Sequence, residues 1–87
     1  MLKEISDVAL TAYLTLKGYK QIKPPKVKGG IVIFTFDDPN NKIATETIRF
    51  FNRDTQVDAL ELVELVRNFK SQVSILKRNA VSEVSNE

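Results

Sequence analysis

The stretch Val57–Asn79, VDALELVELVRNFKSQVSILKRN, predicts one long amphipathic helix and decides the fold. Asp58 suits the N-cap and Glu61 its capping-box partner, while Val57 and Leu62 have the spacing of a hydrophobic staple. Apolar residues then recur every three or four positions, which is the period of a single helical face. These residues are Ala59, Leu62, Val63, Val66, Phe69, Val73 and Leu76. The shorter segments of the chain are therefore expected to cover this face.

A first helix is predicted near the N-terminus. Its N-cap is Ser6 or Asp7, and it extends to Lys17. Gly18 fits the left-handed C′ position that follows, because a residue without Cβ adopts that conformation at little cost. The mostly apolar stretch Val8–Leu16 indicates a core helix rather than a signal sequence, since acidic residues interrupt the segment before it.

The middle of the chain predicts a two-stranded hairpin. Tyr19–Lys23 is a short first strand, ended by Pro24-Pro25, where two backbone donors are missing. Gly29-Gly30 marks the turn, and Ile31–Phe36 is a strand of β-branched and aromatic residues.

A second helix follows the hairpin. Asp38 is its predicted N-cap and Pro39 its first residue, where a missing N–H costs nothing, and Asn52 suits the C-cap. The predicted buried stripe consists of Ile43, Ala44, Thr47, Ile48 and Phe51. The sequence thus predicts a single small α+β domain over residues 1–79, of order α-β-β-α-α, with a frayed polar tail over residues 80–87.

Composition excludes most catalytic chemistry. The chain has 87 residues with neither histidine nor cysteine, so the usual general base, the commonest metal ligand and thiol chemistry are missing. Asp37, Asp38 and Asn40 form the one acidic cluster with the character of a hard-metal site, but a capped helix start explains them better. We expect no enzyme activity, no catalytic residue, no metal and no cofactor.

The same composition also predicts the cellular compartment of the protein. No segment approaches the roughly 18–20 apolar residues that a membrane helix needs, so no membrane partner is expected. The lack of cysteine fits a reducing compartment, which favours the cytoplasm.

Positive charge is concentrated in the predicted hairpin. No acidic residue occurs between Val8 and Phe36, an interval that contains five lysines, and the rest of the chain has a net charge of −3. A second basic group lies late on the long helix, with Arg67 beside it on roughly the same side. Because lysines and arginines contact phosphates, the sequence predicts that DNA or RNA binds at these residues. The predicted nucleic-acid site comprises Lys20, Lys23, Lys26, Lys28, Lys70, Lys77 and Arg78.

A protein interface is the alternative. In a two-stranded hairpin only one face is expected to pack on the helices, so the face with Ile31 and Ile33 stays uncovered. This face and the open strand edge are available to a partner. Phe50 is expected to lie off the buried stripe and to make contacts as well. The partner would be another protein or a second copy of the chain.

Motifs spread over about residues 5–76 carry a resemblance to a known family. They are Ser6-Asp7, Leu14, Lys17-Gly18-Tyr19, Ile31–Asp37, Phe50-Phe51-Asn52, Val57-Asp58 and Leu60–Lys70. In these motifs the chain resembles a small domain family of unknown function that is associated with bacteriophages and other mobile elements. Pro24-Pro25 with the lysine-rich turn is particular to this chain. The resemblance implies a phage-type accessory protein, located in the host-cell cytoplasm if it is phage-encoded. Under the protein-interface alternative, the chain would be a phage-encoded inhibitor or adaptor of a host protein, or an assembly component. The family has no assigned active site to carry over.

Overall fold

The computed structural model describes the backbone of residues 2–85 and the side chains of residues 2–80. The predicted α+β class is confirmed, with three helices and a three-stranded antiparallel sheet in this part of the chain. The elements are β1 (Leu2–Ile5), α1 (Val8–Leu16), β2 (Lys26–Lys28), β3 (Ile31–Asp37), α2 (Ile43–Phe51) and α3 (Ala59–Ser85).

The sheet has β3 in its middle, between β1 and β2, and both pairings are antiparallel. The predicted turn at Gly29-Gly30 is confirmed, since Lys28 pairs with Ile31 across it. The two glycines have φ of 59° and 78°, which is the backbone of a type I′ hairpin turn.

Two features of the sheet differ from the sequence prediction. The predicted first strand, Tyr19–Lys23, pairs with β3 through an isolated bridge between Gln21 and Phe36, and β2 lies after the two prolines. β1 is not predicted, because LKEI is short and gives no clear alternation. It pairs with the edge of β3 that a hairpin would leave open, so β3 is not an edge strand.

Both predicted ends of α1 are confirmed to within one residue. The Asp7 carboxylate accepts a 2.8 Å hydrogen bond from the Leu10 N–H, which makes Asp7 the N-cap. At the other end Gly18 has φ of 94°, and the N–H groups of Gly18 and Tyr19 donate to the carbonyls of Thr15 and Leu14 at 3.1 Å. These two bonds define a Schellman motif.

Helix α2 starts later than predicted and buries a different side. Pro39 lies in a turn before the helix, and the buried Asp38 carboxylate reaches forward to accept the Lys42 N–H at 2.8 Å. Ile43 is buried as predicted, but Ile48 and Phe51 are about 60% exposed. Thr47 is half-buried as predicted, Glu46 and Phe50 lie on the same inward side, and Ala44 is exposed. The helix is therefore rotated about its axis relative to the prediction. Adjacent apolar residues such as Phe50 and Phe51 are compatible with either rotation of so short a helix, and the sequence analysis chose the wrong one.

Helix α3 begins as predicted, with the Asp58 carboxylate accepting the Glu61 N–H at 2.9 Å. It continues past the predicted end at Asn79 to Ser85. Asn86 and Glu87, the end of the predicted frayed tail, lie outside the described residues.

The core lies between the helices and one face of the sheet. This inner face carries Val32, Phe34 and Phe36, and the Phe34 ring meets the Phe69 ring of α3 edge-on at 5.4 Å. The opposite, outer face carries Ile31, Ile33 and Thr35. The inward residues of α3 are Leu62, Leu65, Val66, Phe69, Val73 and Leu76. Two members of its predicted face, Ala59 and Val63, are exposed, and Leu65 takes their place.

Candidate nucleic-acid interface

The hairpin lysines do not form an uninterrupted positive surface. Glu4 on β1 pairs with Lys26 on β2, with 2.9 Å between the ammonium nitrogen and a carboxylate oxygen. The hydrogen bond and charge of Lys26 lower the pKa of Glu4, and the charges of Lys28 and Lys23 lower it further. The lysine-rich hairpin that the sequence predicts has no acidic residue of its own. In the folded protein, Glu4 of the unpredicted strand β1 brings a carboxylate next to it.

Lys20 also lies among acids. It lines a depression of about 290 Å³ together with Lys42, Asp37 and Asp38. Asp38 is 2% exposed, and its carboxylate accepts hydrogen bonds from the N–H groups of Lys42 and Ile43 at the start of α2. The N-cap position itself is Lys42 and not Asp38 as predicted. The residues that the structure describes contain no cluster of His, Cys, Asp or Glu able to hold a metal ion.

Tyr19 is half-buried and packs against the hydrophobic core. Burial raises the pKa of its phenol, and the charges of Glu46 and Asp38 raise it further. The ring therefore contributes to packing rather than offering an open face among the lysines for a base to stack on.

The cations of α3 have a different environment. Three of them line an open depression of about 500 Å³ along this one helix, which we call the basic trough. Its lining residues are Arg67, Lys70, Ser71, Ser74, Ile75 and Arg78. Lys77 lies two turns after Lys70 on the flank of the same helix. Residues 65–82 contain no acid, and the ion pairs of the described side chains involve none of these cations.

The two predicted basic groups point in opposite directions. Lys26 and Lys28 pair with Ile33 and Ile31, so their side chains lie on the outer face of the sheet. Helix α3 packs on the inner face through Phe69, and Arg67 and Arg78 lie on the side of the helix away from it. Lys26 and Lys28 therefore face away from the surface that carries Arg67 and Arg78, so these four cations do not share one face of the protein.

A third basic cluster is absent from the sequence prediction. Lys17, at the end of α1, lines a depression of about 560 Å³ with Arg49 and Arg53, residues that are distant in sequence. Its ammonium nitrogen lies 5.7 Å from the centre of the Tyr13 ring, and the Arg49 guanidinium pairs with Glu46 at 3.3 Å. Asp54 lines the same depression, so carboxylates offset part of this charge.

Of the predicted protein-interface residues, Ile31 is 53% exposed and Ile33 is half-buried, both on the outer face of the sheet. The prediction for Phe50 is wrong. Its ring stacks on Tyr13 with centroids 4.9 Å apart and belongs to the core, while Phe51 is 59% exposed. The error follows from the phase of the α2 stripe.

Among the described residues, every helix is too short or too polar to cross a membrane. In comparisons with known proteins, the chain matches no family model, no curated protein and no solved structure. The phage-associated resemblance therefore stays a prediction, and function has to be argued from the surfaces themselves.

Proposed function

We propose that this protein is a small non-catalytic accessory protein that binds nucleic acid through the basic trough of α3. The observation that supports this proposal is a row of cations on one helix that form no ion pair among the described side chains. Side chains of arginine, lysine and serine are the usual donors to phosphate oxygens, and the trough presents all three.

The dimensions of the trough suit a phosphate backbone. Arg67 and Arg78 are three turns apart, which places them about 16 Å from each other along the helix axis. Lys70, Ser71 and Ser74 lie between them. Contacts of this kind position a protein on nucleic acid but carry no sequence information, so we propose binding with little sequence preference.

The trough is a better site than the hairpin for an electrostatic reason. Glu4 forms an ion pair with Lys26, and the charges of Lys23 and Lys28 also interact with its carboxylate. A phosphate that binds at the hairpin therefore has to compete with this carboxylate. The described side chains form no ion pair with Arg67, Lys70 or Arg78, and the nearest preceding acid, Glu64, lies one turn before Arg67. The hairpin lysines then contribute to the general positive charge of the protein.

The test is fluorescence anisotropy with short labelled DNA and RNA, single- and double-stranded, at salt concentrations between roughly 50 and 200 mM. Neutralising about four phosphates on duplex DNA gives a slope of about −3.6 in log affinity against log salt, or a loss of roughly 150-fold over this range. The variant Arg67→Gln/Lys70→Gln/Arg78→Gln should bind far more weakly, with a slope near about −0.9 from the remaining Lys77.

The matched control is Lys20→Gln/Lys23→Gln/Lys28→Gln, which removes the same number of positive charges from the other side of the protein. It should retain most of the affinity and the slope. Loss of binding in this control with retention in the α3 variant would move the site to the hairpin. No salt-sensitive binding at the lowest salt concentration would reject nucleic-acid binding altogether.

We further propose that the protein acts in the cytoplasm, the host cytoplasm if it is phage-encoded, in line with its lack of cysteine. The alternative of a protein-interaction module is supported by the outer face of the sheet, where Ile31 is 53% exposed.

A further inference from the structure

The outer face of the sheet is apolar along its middle and open. Helix α3 packs on the inner face of β3 through Phe69, and on the other side Ile31 is 53% and Leu2 50% exposed. Ile22 is 46% exposed, and its N–H donates to the Thr35 carbonyl at 3.1 Å, which places it beside β3 as well. Leu2 is opposite Asp37 and Ile31 is opposite Lys28, so these two exposed residues lie at opposite ends of β3 and the apolar patch around Ile31 is local. An exposed apolar patch marks an interaction surface on a small protein.

The ion pair between Glu4 and Lys26 crosses this face. The two residues lie on the strands at either side of β3, and their side chains meet at 2.9 Å above it. Thr35 beneath is 3% exposed. Next to the ion pair, Glu4, Lys28, Ile31 and Ile33 line a depression of about 380 Å³. The face thus offers a hydrophobic hollow with charged groups at its edge.

The charge at this edge is unbalanced. Glu4 forms its ion pair with Lys26, while Lys28 lines the same depression as Glu4 and the described side chains form no ion pair with Lys28 or Lys23. A second copy of the chain would bring the same surplus of positive charge to the contact, which opposes self-association through this face. Nucleic acid would match the lysines but would leave the isoleucines without a partner. The matching occupant carries both apolar side chains and carboxylates.

The width of the face indicates the form of this occupant. β1 pairs with residues 34–37 of β3 and β2 pairs with residues 31–33 on the other side, so the two strands come level only near the middle of β3. There they are two strand spacings apart, about 10 Å, which is the diameter of one α-helix with its side chains. The inner face of the same sheet is covered by α3, which is such a helix.

We propose that the outer face of the three-stranded sheet docks an acidic amphipathic helix of a partner protein. Apolar side chains of this helix pack on Ile31 and Ile33, and its carboxylates pair with Lys28 and Lys23. The proposal concerns the side of the protein opposite to the basic trough, so it stands or falls separately from nucleic-acid binding.

The experiment titrates the full ¹⁵N-labelled chain with a synthetic helical peptide of about 18 residues, or five turns, bearing a leucine stripe flanked by glutamates. A second peptide has lysines in place of the glutamates. The acidic peptide should shift the amide signals of β2 and β3 saturably, at least tenfold more tightly than the basic peptide, and raised salt should weaken it.

Matched variants locate the contact. Ile31→Ser should weaken binding of the acidic peptide at least tenfold, whereas Ile75→Ser should not, although Ile31 and Ile75 are equally exposed at 53% and 52%. Lys28→Glu should weaken binding and Lys77→Glu should leave it unchanged. Because all four side chains are exposed, circular dichroism should show the native fold in each variant.

Several outcomes would overturn the proposal. One is that neither peptide binds, and another is that the basic peptide binds as tightly as the acidic one. A dimer in analytical ultracentrifugation that Ile31→Ser abolishes would assign the face to a second copy. DNA binding that requires both Ile31 and Lys28 would assign it to nucleic acid.

Discussion

The Tyr13 hydroxyl donates a 2.7 Å hydrogen bond to the Glu46 carboxylate and lies 2.8 Å from the Thr55 hydroxyl. Tyr13 belongs to α1, Glu46 to α2, and Thr55 to the loop before α3. A phenol that is fully shielded from solvent therefore joins three separate parts of the fold. Phe50 stacks on the same ring at 4.9 Å, so one side chain of α1 makes both a hydrogen bond and a ring contact with α2.

We expect Tyr13→Phe to lower the free energy of unfolding by about 1.5–3 kcal/mol, the range for hydrogen bonds to charged groups. The variant keeps the ring and its stacking on Phe50 but leaves Glu46 and Thr55 without this partner. Urea denaturation measures the change. Tyr19→Phe, at a half-buried tyrosine, is the control and should cost less than about 1 kcal/mol. Equal losses in the two variants would show that the hydrogen bonds at Tyr13 contribute nothing particular.

Tyr13 also predicts a change of stability at alkaline pH. Burial raises the pKa of its phenol above the ordinary value, chiefly because the phenolate loses its hydration. Above about pH 10 the unfolded chain releases this proton while the folded chain retains it, so stability falls as pH rises toward the higher pKa of the folded state. Below pH 10 this contribution is fully present.

The measurement compares the free energy of unfolding of the native chain and of Tyr13→Phe between pH 8 and 11. The difference between the two proteins should shrink above about pH 10, since Tyr19 and the lysines titrate in both. A difference that is constant over the whole range would mean that the pKa of Tyr13 is the same in the folded and unfolded chains.

The adjacent residues Phe50 and Phe51 should respond very differently to truncation. Phe50→Ala should cost about 3 kcal/mol, the lower end of the range for buried phenylalanines, because Phe50 is half-buried against Tyr13. Phe51 is 59% exposed and meets Phe50 edge-on at 5.3 Å, so Phe51→Ala should cost about 1 kcal/mol or less. Thermal unfolding of the two variants measures both losses of stability. A larger loss of stability in Phe51→Ala than in Phe50→Ala would mean that Phe51 is the buried residue, as the sequence predicts.

The features that the sequence predicts well are local. Asp7 and Asp58 cap helices through bonds to N–H groups three residues on, and Gly29-Gly30 forms a turn within its own hairpin. The residues that specify such features are neighbours in the chain, so their types and spacing suffice. The α+β class follows from them.

The features that the sequence misses depend on distant contacts. Glu4 reaches the hairpin lysines because β1 pairs with β3, some thirty residues later. The rotation of α2 is set by Tyr13 and Glu46, which determine that Phe50 rather than Phe51 turns inward. The candidate site was therefore predicted in part: Lys70 and Arg78 lie on one surface with Arg67, but the hairpin lysines do not join them.

Arg53 adopts a backbone conformation that favours glycine, which predicts a stabilising substitution. Its φ is 59°, and the N–H groups of Arg53 and Asp54 donate to the carbonyls of Phe50 and Arg49 at 3.1 and 2.9 Å. This is the Schellman ending that Gly18 provides for α1. Arg53→Gly should raise the free energy of unfolding by about 0.5 kcal/mol, since relief of roughly 1–2 kcal/mol of strain exceeds the added entropy of an unfolded glycine.

Two further variants separate backbone strain from charge. Arg53→Ala removes the same positive charge beside Lys17 and Arg49 but keeps a Cβ, so it should not stabilise the protein if strain is the cause. Gly18→Ala should lower the free energy of unfolding by about 1 kcal/mol through strain alone, because a Cβ at Gly18 meets no atom within 4 Å. Equal stabilisation by Arg53→Ala and Arg53→Gly in urea denaturation would attribute the gain to relief of repulsion among the three cations instead.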